Sequence, residues 1–147
     1  MRRRPDPAGT KRVLRSLPAW FGIDDAVASY VEKAAVLDSF VVEGDDGTVA
    51  AVALYERHFP QSAELALIAV HADHRGTGLG RRLVAAGESA LRSDGCRYLE
   101  VHTVGPSYDD EGYAETRAFY LALGFSPVHE FHGLEWDGPT LVMIKNL

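Results

Sequence analysis

Between His74 and Arg82 the chain reads HRGTGLGRR, with glycine at 76, 78 and 80 and arginine at 75, 81 and 82. Glycines let backbone amides approach an anion closely, and at the start of a helix the dipole adds about half a positive charge there. Neighbouring arginines contribute charge that does not titrate near neutrality. Such a turn suits a diphosphate. The triphosphate P-loop is excluded, because no lysine of this chain is followed by serine or threonine. A dinucleotide fingerprint fits poorly: Arg81 and Leu83 occupy the two places where its third glycine would stand, although Glu100 lies twenty residues past Gly80, where a ribose-binding acid is expected. The turn does satisfy R-x-x-G-x-G, through Arg75, Gly78 and Gly80. Two histidine pairs, in HADH (71–74) and HEFH (129–132), are spaced by three. Neither is H-E-x-x-H and no set of thiols accompanies them, so no metal site is expected.

These residues need elements to hold them. AELALIAV (63–70) reads as a strand buried on both faces in the middle of a sheet. From Gly78 to about Ser93 the apolar positions keep a helical period that stops at Asp94-Gly95, and YLEVHTV (98–104) is the next strand. Strand, helix and strand in this order predict a βαβ unit with parallel neighbours. Upstream, SFVVEG and TVAAVALYER flank DDG, a hairpin signal, and Leu17 to Lys33 reads as short helices with Asp24 as an N-cap. Downstream, GPSYDDEG is loop, YAETRAFYLALGF is a helix that stops at Gly124, and FSPVHEF and TLVMIKNL are closing strands. The expected fold is a single-domain α/β architecture: a mixed central sheet with an antiparallel hairpin, one βαβ unit, and a C-terminal helix plus strand pair.

A chain of 147 residues fits one domain that buries roughly two-thirds of its unfolded surface. Net charge is −6, yet the first fifteen residues carry six basic side chains against one acid. The body is therefore acidic, which disfavours nucleic acid and favours cationic partners such as amines. Residues 1–12 are expected to be a disordered basic tail and 13–147 the single domain. No apolar run approaches the ~20 residues of a bilayer span, and no h-region follows the N-terminal arginines, so neither membrane insertion nor export is expected. The single Cys96 agrees with a cytoplasmic location. Edge strands at the C-terminus leave room for a homodimer.

In its context the glycine turn resembles that of the GNAT N-acetyltransferase superfamily. An apolar strand precedes it, and forty residues later AFYLALGF matches the family's F-Y-x-x-x-G-F helix and turn. The resemblance covers about residues 36–147. It implies acetyl-coenzyme A as co-substrate, with Ile68, Ala69 and Val70 offering strand backbone to the pantetheine arm and Arg75, Gly76, Thr77, Gly78, Leu79, Gly80 and Arg81, with Arg82 beside them, holding the pyrophosphate. Tyr113 stands where many members carry a cofactor-contacting asparagine. The family's usual first strand is not evident before Leu17.

Acetyl transfer requires a neutral amine. An amine of pKa near 10.4 is mostly protonated at pH 7, a penalty of about 4.6 kcal/mol. A general base is needed, directly or through water. The resemblance places Glu64 there, and strict alternation would put it on one face with Ala66, Ile68 and Val70. His102, on the adjacent strand, is the runner-up. Tyr120 occupies the family's general-acid position, where it would meet the departing thiolate, while Phe119 is expected in the core. Cys96, about 25 Å from the turn by helix rise, is too far for a covalent route, so direct transfer in a ternary complex is expected. Trp20 and Phe21 could wall the acceptor pocket or plug the sheet. Asp109, Asp110 and Glu111 could attract a cationic acceptor or cap the helix that follows. The expected function is acetyl transfer to a primary amine of a small molecule or peptide. The alternatives are a coenzyme A-binding sensor without catalysis and, more weakly, a nicotinamide-dependent oxidoreductase.

Overall fold

A computed structural model describes residues 1–147. Seven strands form one sheet: β1 (Arg2–Arg3), β2 (Asp38–Glu43), β3 (Val49–Phe59), β4 (Ser62–Val70), β5 (Tyr98–Val104), β6 (Ser126–His132) and β7 (Pro139–Asn146). Their order across the sheet is β1-β2-β3-β4-β5-β7-β6. Every neighbouring pair is antiparallel except β4 and β5. The helices are α1 (Pro7–Arg15), α2 (Pro18–Phe21), α3 (Asp24–Val36), α4 (Leu79–Ser93) and α5 (Glu111–Ala122). The hairpin, the βαβ unit and the closing strand pair all form as the sequence predicts.

Two cores lie on opposite faces. One joins Ala51, Ala53 and Tyr55 of β3 to Leu83, Val84 and Leu91 of α4 and to Tyr120 and Phe125; the other joins Val52, Leu54, Leu67 and Ala69 to Val13, Leu14, Val27 and Ala34 of α1 and α3. On the first face α4 comes very close to the sheet. A Cβ on Gly87 would lie 2.1 Å from Cζ of the buried Tyr55, whose hydroxyl donates to the Leu83 carbonyl at 3.2 Å. Gly87→Ala is therefore expected to cost about 1–3 kcal/mol, read as a lowered urea midpoint with an unchanged slope.

The segment 1–12, expected as a disordered tail, is part of the fold. Arg2 and Arg3 pair with Val41 and Phe40 at the sheet edge. Arg3 makes two hydrogen bonds to Asp38, at 2.9 and 2.7 Å, and Arg4 donates to Glu43 at 2.7 Å. Asp6 caps α1 by accepting from the Gly9 amide at 2.9 Å, Pro7 takes the first helical position, and Val13 and Leu14 are fully buried. The basic residues are ordered because β2 presents carboxylates to them and because α1 must cover one face of the sheet. Asp24 is also displaced by one position: Ile23 is the residue before α3, and Asp24 opens the helix, where its charge suits the dipole.

The central strand contains the feature that matters most for chemistry. Leu54 lies across from Leu67, but Tyr55 lies across from Leu65 and Glu56 from Glu64, so β4 carries one extra residue at this point. Such a bulge reverses the alternation of side chains. Glu64 therefore shares the face of Leu54, Leu67 and Ala69, toward α1 and α3. It does not share the face of Ile68 and Val70, as strict alternation required.

Candidate active site

Beyond Glu64 the sheet opens. β4 and β5 pair only from Ser62–Glu64 to Tyr98–Glu100, whereas β5 stays paired with β7 along its whole length. The remainder of β4 thus keeps one edge, facing β5, without strand partners. Backbone donors and acceptors in such a place demand partners, and an extended ligand with amide groups meets that demand.

This open edge leads into the glycine turn. Gly76 and Gly78 have φ of 75° and 81°, in the left-handed region where side chains are strained. Gly78 is the residue before α4 and supplies no side-chain cap; the first backbone bond across it runs from the Arg82 amide to the Gly78 carbonyl. The amides of Leu79, Gly80 and Arg81 are left to an outside acceptor. Gly80 keeps α4 close to α5: a Cβ there would lie 3.2 Å from Cζ of Phe119, which would have to give by a few tenths of an ångström. The Arg75 guanidinium lies over the Trp20 ring at 4.6 Å, joining the turn to α2.

Edge and turn belong to one cleft of about 620 Å³. It brings together Ile68, Ala69 and Val70, the run Arg75–Arg81, and Phe119 and Tyr120 from α5. Trp20, Phe21 and Tyr30 of the N-terminal helices also line it, as does His102. Arg82 is exposed and outside it, as a helical step of about 100° from Arg81 requires. Tyr113 is outside as well: it stacks edge-on against Tyr108, with ring centroids 6.4 Å apart. Glu115 and Thr116, one turn along α5, line the cleft where Tyr113 does not, and sequence reasoning missed both. Their i+3 and i+4 spacing to Phe119 was the available signal. Asp110 caps α5, accepting from the Tyr113 amide at 3.0 Å.

Tyr120 is buried, and that burial pushes its hydroxyl well above the usual tyrosine range, so it is a proton donor at neutral pH. Phe125 packs edge-on against its ring at 5.7 Å. Glu64 accepts a hydrogen bond from Nε2 of His58 at 2.8 Å and is set back from the cleft lining. Nε2 of His102 hydrogen-bonds with Glu100 and Nδ1 with Glu135, and both nitrogens donate when the ring is protonated. Burial alone would lower the His102 pKa, but these two hydrogen bonds, with the charges of Glu64 and Glu135, outweigh it and raise it. A histidine held in this way favours the imidazolium, which has no lone pair for base work. Burial also raises the Tyr30 hydroxyl, and the charges of Glu135 and Glu64 add to the effect. Cys96 is buried at the far end of α4, its thiol 3.4 Å from the carbonyls of Gln61 and Tyr98.

The family described as the acetyltransferase (GNAT) domain matches residues 37–127. Several solved structures share the whole fold. A protein from Desulfovibrio desulfuricans described as an acetyltransferase of the GNAT family superposes with a TM-score of 0.85 at 25% identity, covering 99% of this chain and 96% of that one. The IAA acetyltransferase from Bacillus cereus gives 0.71 at 20% identity over 99% and 97%. An aminoglycoside 6'-N-acetyltransferase complexed with coenzyme A gives 0.71 at 18% identity over 95% and 89%. No curated protein matches by sequence.

Proposed function

The chain belongs to the GNAT acetyltransferase family, and on that premise we propose that it transfers acetyl from acetyl-coenzyme A directly to the primary amine of a small molecule or peptide. The observation that carries this reading is the continuity of the open β4 edge with the uncapped start of α4 in one cleft. Acetyl-coenzyme A supplies a thioester, an acyl donor with a stable thiolate as leaving group. The residues fit it: Ile68 to Val70 offer backbone to its amide-bearing arm, and the amides at Leu79 to Arg81 with Arg75 face its diphosphate.

The acceptor enters from the side of Tyr30 and His102, where β4 and β5 part, because the other end of the cleft is the diphosphate turn, which Arg75 joins to Trp20. Glu64 is the base. Since its carboxylate is set back from the lining, the ammonium proton reaches it through a water at the parting of β4 and β5. Tyr120 meets the leaving sulfur. His102 is not the base, because both of its nitrogens donate to carboxylates.

The test is a transfer screen with acetyl-coenzyme A over amino acids, polyamines, aminoglycosides and peptide N-termini, reading thiol release that depends on the amine. Tight coenzyme A binding without turnover on any amine would favour a sensor instead. Arg75→Ala is expected to raise KM for acetyl-coenzyme A about tenfold with a smaller change in kcat, the loss of one charge-assisted contact to phosphate. An unchanged KM would remove Arg75 from the diphosphate site. The open edge of β6, where Val128 and Phe131 are exposed, is the place at which a homodimer would form, and light scattering reads its presence. No helix is long and apolar enough to cross a membrane.

A further inference from the structure

His102 follows Glu100 by two residues on β5, so both side chains lie on one face, where β4 and β5 part. Its second partner comes from elsewhere. Glu135 sits in the loop between β6 and β7, 33 residues along the chain, and reaches across to Nδ1. A neutral imidazole has one donor and one acceptor nitrogen, so two carboxylates are both satisfied only by the cation. One oxygen of Glu64, one of Glu100 and one ring nitrogen of His102 lie within 4.8 Å of one another.

We infer that Glu135 is a positioning residue for acetyl transfer: acting with Glu100, it holds His102 as a cation beside Glu64 and ties the β6–β7 loop to β5 behind the cleft-lining His102. The inference rests on the reading of the cleft as an acetyl-transfer site. The loop has few other ties. Trp136 donates from its indole to the Pro139 carbonyl at 3.2 Å, within the loop, and stacks edge-on against Tyr108 at 5.6 Å. The Glu135–His102 bond is what joins the loop to the strand that borders the cleft.

The groups facing His102 make the tie dependent on pH. β4 presents Glu64, to which His58 of β3 donates; β5 presents Glu100 and the loop presents Glu135. Tyr30 of α3 and Glu115 of α5 share the cleft lining with His102, and β7 places the uncharged Val142 across from it. Because the folded pKa of His102 is raised, its cationic contacts are whole below the ordinary histidine value of about 6.5 and are lost as pH rises through the raised value.

The experiment follows the His102 ring by NMR in the wild type, in Glu135→Gln and in Glu100→Gln, with His102→Gln to assign the signal. The His102 midpoint is expected to fall by about one pH unit in each carboxylate variant. In Glu135→Gln the acceptor KM is expected to rise several-fold with a smaller loss of kcat, and the pH at which that rise begins to move down with the midpoint. Glu135→Asp should restore part of both. An unmoved midpoint in both Glu135→Gln and Glu100→Gln overturns the inference, as does an acceptor KM that rises equally at every pH. The ring titration uses the protein alone, so it stands whether or not any amine is acetylated. Thermal unfolding of each variant separates these outcomes from loss of the fold.

Discussion

Tyr120→Phe is expected to lower kcat about ten- to a hundredfold while leaving KM for acetyl-coenzyme A nearly unchanged. The size follows from what the hydroxyl can do. A free thiol has a pKa near 8.5, well below that of a tyrosine whose burial pushes it up, so full proton transfer from Tyr120 to the thiolate is uphill. The hydroxyl acts chiefly by donating a hydrogen bond to negative charge as it forms on sulfur. Hydrogen bonds to charged groups contribute about 1.5–3 kcal/mol, and each 1.36 kcal/mol off the barrier is tenfold in rate. The ring itself stays: Phe125 at 5.7 Å and Phe119 at 5.6 Å pack against either side chain, so the variant should keep its thermal stability. Single-turnover kinetics with a good acceptor separate this effect from product release. Rates equal to the wild type at all pH values would remove Tyr120 from the chemistry.

How far these residues could be read without a structure depended on whether their signals were local. The glycine turn announces itself because positive φ demands glycine at Gly76 and Gly78, within a few residues and directly before α4. The apolar run of β4 marks a central strand for a similarly local reason. The bulge between Leu65 and Leu67 leaves no such mark: AELALIAV holds no glycine or proline, and the extra residue is visible only against the register of β3. Strict alternation thus put Glu64 on the wrong face. The N-terminal arginines read as solvated because their partners, Asp38 and Glu43, lie more than thirty residues away. A local sign was present in Asp6-Pro7, an N-cap followed by a first-turn proline. Tyr113 shows the limit of carrying a family position across by count alone. The turn of α5 that reaches the cleft here presents Glu115, Thr116 and Phe119 instead. Glu135 had no signal at all, since an acid in a polar loop is ordinary until the fold brings it to His102.

Glu64→Gln is expected to lower kcat/KM for the amine about a hundredfold at pH 7, and the deficit should shrink steadily toward pH 10. Glutamine preserves the shape and can still accept the hydrogen bond from His58 through its amide oxygen, so the loss isolates the ability to take a proton. A base of this kind typically contributes 10²–10⁴-fold. The pH dependence distinguishes a base from a residue that merely shapes the pocket. At pH 7 an amine of pKa about 10.4 is overwhelmingly protonated, and removing that proton is the barrier the carboxylate lowers. Near pH 10 solvent has already removed it from much of the substrate, and a base in the site has little left to do. A ratio of variant to wild type that is the same at pH 7 and pH 10 would assign the proton to another group. His102 is poorly placed to be that group: to act as a base it must first give up a proton that two carboxylates hold. If His102→Gln, and not Glu64→Gln, abolished the neutral-pH rate and recovered it at high pH, the roles assigned to the two residues would have to be exchanged.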